Sequence, residues 1–288
     1  MQQLPKYVQE KDGKLWLTEA EGNNLYIRYG IKEVVYEKQS PYQHVMIVDS
    51  YDFGKMLVLD GFVQTTAGDG FIYNEMIAHL PLSFHPNPQR VLIIGGGDCG
   101  AAREVTKYDS VEMIDLVEID ASVVDVCKKH LPEVSGNLSD PRVNYHFTDG
   151  VGFVQDVDTR YDVIIVDSSD PVGPAVELFG LDFYKNVYRA LNDDGLMVCQ
   201  SESPLFYADV MQQTYERIDS LFPIAKTYSA TVPTYPGGFW SFTLGSKRYD
   251  RPHTTFDKEA RYVTDGILSQ CFQLPQFMQD ALRGETNE

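Results

Sequence analysis

Four segments of the chain end an apolar run on acid: Gly95-Gly-Gly-Asp98, Val117-Glu-Ile-Asp120, Thr148-Asp-Gly150 and Asp167-Ser-Ser-Asp170, the last continuing into Pro-Val-Gly-Pro174. A single aspartate after a strand ordinarily caps the next helix or forms a turn. Four in succession converge on one crevice if the strands are parallel, because ligands of open α/β sheets bind outside the carboxyl ends of the strands. A crevice lined this way repels phosphate and carboxylate and holds an ammonium group.

The first segment has the form of a nucleotide site, a buried strand running into Gly95-Gly-Gly97, yet its turn carries Asp98, the wrong sign for a pyrophosphate. Glu118 follows about 20 residues on, where an acid accepts both hydroxyls of a ribose. By analogy with other open α/β sheets, Asp149 stands where a carboxylate accepts from adenine N6. The expectation is an adenosine-containing ligand whose other end is cationic. Asp167 and Asp170, three apart, could also hold Mg²⁺, but no Walker-type lysine accompanies them and no metal is expected. His79 and His85 have no acid at a telling spacing and read as ordinary helix and loop residues. Tyr235, between Pro233-Thr and Pro-Gly, reads on its own as turn packing.

The elements that must hold these residues follow from periodicity. In residues 1–66, Leu15-Trp-Leu17, Leu25–Tyr29, Glu33–Tyr36, Gln43–Val48 and Lys55–Gly61 alternate β-branched or aromatic residues with polar ones, separated by Gly, Asn, Asp and Ser-Pro. A small N-terminal antiparallel β domain is predicted. Phe71, Met76, Ile77 and Leu80 predict a helix over 71–82, broken at His85-Pro-Asn-Pro88. From Arg90, short apolar strands over 91–97, 113–119, 143–147, 161–166 and 196–200 alternate with helices such as 121–130 and 182–191. That pattern means an α/β domain with a mostly parallel sheet and helices on both faces. Residues 221–246 read as two more strands around Pro233-Thr-Tyr-Pro-Gly-Gly238. By likeness to known folds, a reversed pair there makes residues 67–288 a Rossmann-like domain of the class I methyltransferase type.

Composition narrows the partners. With 24 Lys and Arg against 42 Asp and Glu the net charge is -18, which disfavours nucleic acid and anionic membranes and attracts cations. No apolar run reaches the roughly 20 residues of a membrane span, and Met1–Tyr7 lacks the basic-then-apolar order of a signal peptide, so a cytoplasmic protein is expected. Cys99, Cys127, Cys199 and Cys271 are scattered without metal-site or disulfide spacing and read as core residues or free thiols.

With Leu59-Asp-Gly-Phe-Val-Gln-Thr-Thr66 and Pro233-Thr-Tyr-Pro-Gly237 added to the acidic segments, the chain from about Trp16 to Pro275 resembles the polyamine aminopropyltransferases. The resemblance implies transfer of an aminopropyl group from decarboxylated S-adenosylmethionine, a co-substrate and not a cofactor, to putrescine, releasing 5'-methylthioadenosine. It implies a homodimer or homotetramer. It assigns Gln43, Glu118, Asp149, Gly150 and Pro174 to the adenosine part of the donor, with Gly95 and Gly97 letting the backbone approach it. Asp98 takes the aminopropyl ammonium with help from Asp167, and Asp167 accepts the proton. Tyr73, Asp170, Glu202 and Tyr235 line the diamine channel, Gln64 borders it, and Asn74 belongs to its amine-binding set.

Three positions depart from the family pattern: Gly70 where a glutamate is usual, Asn74 where His or Gln is usual, and Cys99 where the glycine loop has Gly. The first two leave open agmatine, cadaverine or spermidine as acceptor. An S-adenosylmethionine-dependent N-methyltransferase is the competing enzyme reading, and would have to tolerate the donor carboxylate beside Asp98. Cys99 calls for a negative φ or for strain.

Overall fold

The computed structural model describes residues 4–21, 24–136, 138–171 and 173–285. Its N-terminal sheet is a six-stranded antiparallel meander of β1 (Val8–Lys11), β2 (Lys14–Glu21), β3 (Leu25–Gln39), β4 (His44–Ser50), β5 (Gly54–Leu59) and β6 (Phe62–Thr66), in sequence order. β1 was not foreseen, although Asp12-Gly13, both at positive φ, is the two-residue turn that right-handed strand twist favours. The two expected strands around Gly30 are one strand, β3, kept continuous by register shifts near Glu33 and Tyr36. Gly30 lies inside it, in contact range of Tyr51 and Trp16.

Helix α1 (Gly70–Phe84) leads into the second sheet and is buried along nearly its whole length. There β7 (Arg90–Gly95), α2 (Gly100–Val105), β8 (Met113–Val117), α3 (Ala121–His130), α4 (Pro132–Ser135), β9 (Val143–His146), α5 (Gly150–Asp156), β10 (Tyr161–Asp167), α6 (Leu181–Ala190) and β11 (Leu191–Gln200) alternate as predicted. They are followed by α7 (Ala208–Asp219), β12 (Ile224–Thr231), β13 (Phe239–Ser246), α8 (Asp265–Gln270) and α9 (Gln276–Leu282). The strand order is β12-β13-β11-β10-β7-β8-β9. β7 to β11 run parallel and β13 is antiparallel to both its neighbours, the reversed pairing of the methyltransferase-type sheet.

This topology positions the acids. The chain runs from β7 outward through β8 and β9, then returns to lay β10 on the other side of β7, so the order reverses between β7 and β10. Asp167 pairs in register with Gly95 across that line, and Gly96 N–H donates to the Asp167 carbonyl at 2.9 Å. Gly95, at φ 83°, cannot be replaced without cost, since a Cβ would lie 2.1 Å from that carbonyl oxygen. Val91, Ile93, Val163, Ile165, Leu196 and Val198 bury one face of the sheet under α1, while Leu92, Ile94, Ile164, Val166 and Met197 bury the other.

Candidate active site

A cavity of about 290 Å³ opens above the β7–β10 junction and is walled by both sheets. Nine carboxylates line it: Glu19, Glu21, Asp60, Asp98, Glu118, Asp149, Asp167, Asp170 and Glu202. Among its described lining residues there is no Lys, Arg or His. Gln43, Gln64, Tyr73, Gly95, Gly97, Gly150 and Tyr235 also face it.

At the centre, Tyr73 of α1 donates its hydroxyl proton to Asp167 Oδ1 at 2.8 Å. Burial, and then the nearby Asp98, push the Asp167 carboxyl up to about 8, with the Tyr73 hydrogen bond opposing them. Burial also raises Asp98, against the Gly100 N–H that donates to its Oδ1 at 2.7 Å and the Arg103 charge. Tyr235 stands edge-on to Tyr73 at 5.7 Å and to Trp240 at 4.6 Å, and its hydroxyl donates to the Gln64 carbonyl at 2.5 Å. It is thus a wall of the cavity as well as a turn residue.

On the β8 side, Glu118 is buried and accepts from Asp120 N–H at 2.8 Å. Burial lifts it to about 7. Asp120, the other acid of that strand end, leaves the cavity. It caps α3 through Ser122 N–H at 3.0 Å and accepts from Ser40 and from Gln43 Nε2 at 3.2 Å, so it fixes the Gln43 amide. Asp149 both lines the cavity and caps α5, accepting from Val151 and Gly152 N–H. Pro174 lies in the 3-10 turn Gly173–Phe179, and its side chain is outside those described.

A second group of acids lies beyond Tyr235. Glu202, in left-handed backbone at φ 69°, is hydrogen-bonded to Asp170, and burial and then that neighbour push it up to about 9. Opposite them the N-terminal sheet contributes two residues that sequence reasoning missed. Glu19 is 2% exposed, accepts from Val63 N–H at 3.1 Å, and is lifted by burial to about 8. Glu21 accepts from the Tyr207 hydroxyl at 2.8 Å. The signal was present: along β2 the inward positions are Leu17, Glu19 and Glu21, two acids in the phase of the core.

The departures also have positions. Gly70 has no room for a side chain, because Thr65 Oγ1 lies 2.3 Å from where a Cβ would stand. Asn74 is 1% exposed and does not line the cavity; it packs on Gly100 behind Asp98, where its amide favours the ionised Asp98 without a hydrogen bond of ordinary geometry. Cys99 takes the strained alternative, at φ 65° and ψ 8°. His79 is corrected: it does have an acid partner, Glu104, 25 residues on in sequence and 2.9 Å away in space.

Family models match two adjoining parts of the chain, a spermidine synthase tetramerisation domain over residues 15–67 and a spermine/spermidine synthase domain over residues 70–258. The chain belongs to the spermine/spermidine synthase family. It is 46% identical over 273 residues to a polyamine aminopropyltransferase of Desulforudis audaxviator, covering 93% of this chain and 99% of that protein. The Bacillus subtilis polyamine aminopropyltransferase is 42% identical over 94% of this chain and 99% of its own length. A crystal structure of spermidine synthase in complex with the transition state analogue AdoDATO superposes with a TM-score of 0.91 at 38% identity, covering 97% of this chain and 98% of that one. Spermidine synthase from Thermotoga maritima gives 0.90 at the same identity and the same coverage. The chain is therefore an enzyme of the aminopropyltransferase class. Among its described residues no helix is long and apolar enough to cross a membrane.

Proposed function

We propose that this family member transfers the aminopropyl group of decarboxylated S-adenosylmethionine to a diamine, putrescine foremost, yielding spermidine and 5'-methylthioadenosine. The observation that carries the reading is the adjacency of Asp98 and Asp167 at the β7–β10 junction, inside a cavity lined by nine carboxylates and by no basic residue among those described. A donor with a free carboxylate would meet Asp98; its decarboxylated form meets Asp98 with an ammonium.

Glu118 takes the ribose hydroxyls, Asp149 with Gly150 and Pro174 the adenine, Gln43 the adjoining edge, and Gly95 and Gly97 leave room for the sulfur end. The acceptor lies along Tyr73, Tyr235, Gln64, Asp170 and Glu202, with Asn74 supporting Asp98. An alkylammonium has a pKa of about 10.4 and must lose a proton before its nitrogen can attack. Asp167 accepts that proton; a carboxylate held near 8 is a stronger base than a free one. The nitrogen then attacks the methylene carbon on sulfur, the C–N bond forms, and the C–S electron pair returns to sulfur, leaving a neutral thioether. Tyr73 steers Asp167, and the reacting atoms are aligned in a site poor in water.

The same reading divides the chain into a β domain of residues 1–66 and a catalytic domain of 67–288. It makes the protein a cytoplasmic homodimer or homotetramer. Turnover of decarboxylated S-adenosylmethionine with putrescine, cadaverine, agmatine and spermidine, followed by mass analysis, tests it. Stoichiometric methylthioadenosine with an aminopropylated amine is expected, greatest for putrescine. N-methylated product without methylthioadenosine would overturn it.

A further inference from the structure

Two of the residues that converge on Asp167, Tyr73 and Asp98, are positioned by the closely packed helices α1 and α2, and a buried polar contact joins those helices away from the cavity. α1 carries Tyr73 and, six residues later, His79, which is fully buried. α2 follows directly from the turn that holds Asp98 and presents Glu104, also fully buried. His79 Nε2 lies 2.9 Å from Glu104 Oε2, and Nδ1 lies 3.1 Å from the Tyr108 hydroxyl.

The tautomer follows from the partners. Burial alone would raise the Glu104 carboxyl, but His79, Lys107 and Arg103 outweigh it and hold it at about 2, so it is an acceptor only. Nε2 therefore donates to Glu104, and Nδ1 pairs with the Tyr108 hydroxyl. Phe256 packs edge-on to the imidazole at 4.9 Å. The other Glu104 oxygen accepts from Arg103 Nε at 2.9 Å and Nη2 at 2.7 Å, and the Arg103 charge in turn favours ionised Asp98. A ring satisfied at both nitrogens and enclosed by its neighbours is held in one orientation and can serve as a brace.

We propose that His79 is a positioning residue of the transfer reaction: by bracing α1 against α2 through Glu104 it fixes the hydroxyl of Tyr73 on Asp167. This rests on the aminopropyl-transfer reading above. The titratable groups around Asp167 are Tyr73 from α1, Asp98 from the glycine turn, Glu118 from the end of β8 and Tyr235 from the loop before β13. Around His79 they are Glu104, Arg103 and Lys107 of the α2 region and Tyr108, with Asp257 and Lys258 of the C-terminal segment acting on Tyr108. Tyr73, on the same helix as His79, links the two sets, and the Arg103 charge acting on Asp98 is a second, indirect link. Because the Tyr73 hydrogen bond favours ionised Asp167, a loosened brace leaves Asp167 protonated to higher pH.

The test is kcat against pH at saturating donor and putrescine for His79→Leu and His79→Gln, each alone and in a Tyr73→Phe background. His79→Leu is expected to lower kcat at neutral pH by about 10- to 100-fold and to move the acid limb upward. His79→Gln, whose amide can still donate to Glu104, recovers most of both. In the Tyr73→Phe background His79→Leu moves the limb much less. If His79→Leu does not fold, Glu104→Gln takes its place with the same expectations. An unmoved limb in a folded variant, or an equal shift without the Tyr73 hydroxyl, overturns the brace while leaving the reaction standing. No aminopropyl transfer by the unmodified protein would overturn the reaction and the brace together.

Discussion

The Tyr73 hydroxyl donates to Asp167 Oδ1 at 2.8 Å, and the two residues lie 94 positions apart in sequence. Burial and the Asp98 charge raise the Asp167 carboxyl to about 8, and the Tyr73 bond pulls it down. Only the ionised form accepts a proton, so the competent fraction of free enzyme grows as pH rises through that value. An acid limb in kcat/KM near pH 8 is expected. Tyr73→Phe should move the limb to higher pH. A limb that stays in place in Tyr73→Phe would show that the hydroxyl does not govern Asp167.

Asp167→Asn keeps the shape and removes the base. Turnover should fall by at least about 100-fold, whereas methylthioadenosine, which presents no ammonium to this position, should bind within a few fold of the unmodified protein. Single-turnover assays and calorimetry read the two quantities separately. Turnover within a factor of two of the original would remove Asp167 from the role of proton acceptor.

Glu118 is buried and lines the cavity, with its carboxylate held by backbone N–H groups, that of Asp120 at 2.8 Å among them. Glu118→Gln should weaken methylthioadenosine by about 1–3 kcal/mol, the value of a hydrogen bond to a charged group. The turnover rate at saturating donor should change little. Equal affinity for the variant would contradict the ribose assignment.

The part of this site that could be read from the sequence was the part built by repetition. Strand-end acids at 98, 118, 149, 167 and 170 follow from short apolar runs ending in polar residues, and a parallel sheet brings such ends together. Asp120 shows the limit: its type and position match the others, yet Ser40, Ser122 and Gln43 claim its oxygens. Glu19, Glu21, Tyr207 and Trp240 went unassigned for a different reason. They come from separate stretches that meet only when the N-terminal sheet closes over the second, where Tyr29 donates to the Thr234 carbonyl at 2.8 Å across 205 residues. Asn74 matched a family position by alignment of motifs, and only packing reveals that it stands behind Asp98.

Four buried acids make stability depend on pH in an unusual sense. Glu118, Glu19, Asp167 and Glu202 are held at about 7, 8, 8 and 9, chiefly by burial, above the ordinary carboxylate range. Between roughly pH 4 and those values the folded protein binds more protons than the unfolded chain, so stability falls as pH rises, by up to about 1.4 kcal/mol per pH unit for each group. Neighbouring acids titrate together, which makes the summed slope smaller. Glu104, held at about 2, acts oppositely, stabilising above the ordinary range and losing that contribution as pH falls toward 2. The Tm of the ligand-free protein should rise from pH 9 to pH 6, and spermidine should flatten the curve by supplying the missing cations. A Tm that rises from pH 6 to pH 9 without ligand would refute the assignment.

Cys99 gives the last expectation. Its backbone is left-handed at φ 65°, where a side chain costs about 1–2 kcal/mol over glycine, and its thiol is fully buried, with burial pushing it up to about 12. A small apolar group filling the core returns a similar amount, which accounts for a cysteine surviving where the backbone prefers glycine. Cys99→Gly should therefore leave stability within about 1 kcal/mol. Cys99→Val, larger and β-branched at positive φ, should lose about 2 kcal/mol or more and misplace Asp98 beside it. Urea denaturation measures the first effect and donor affinity the second. A valine variant as stable as the original would mean that the turn carries no strain at this residue.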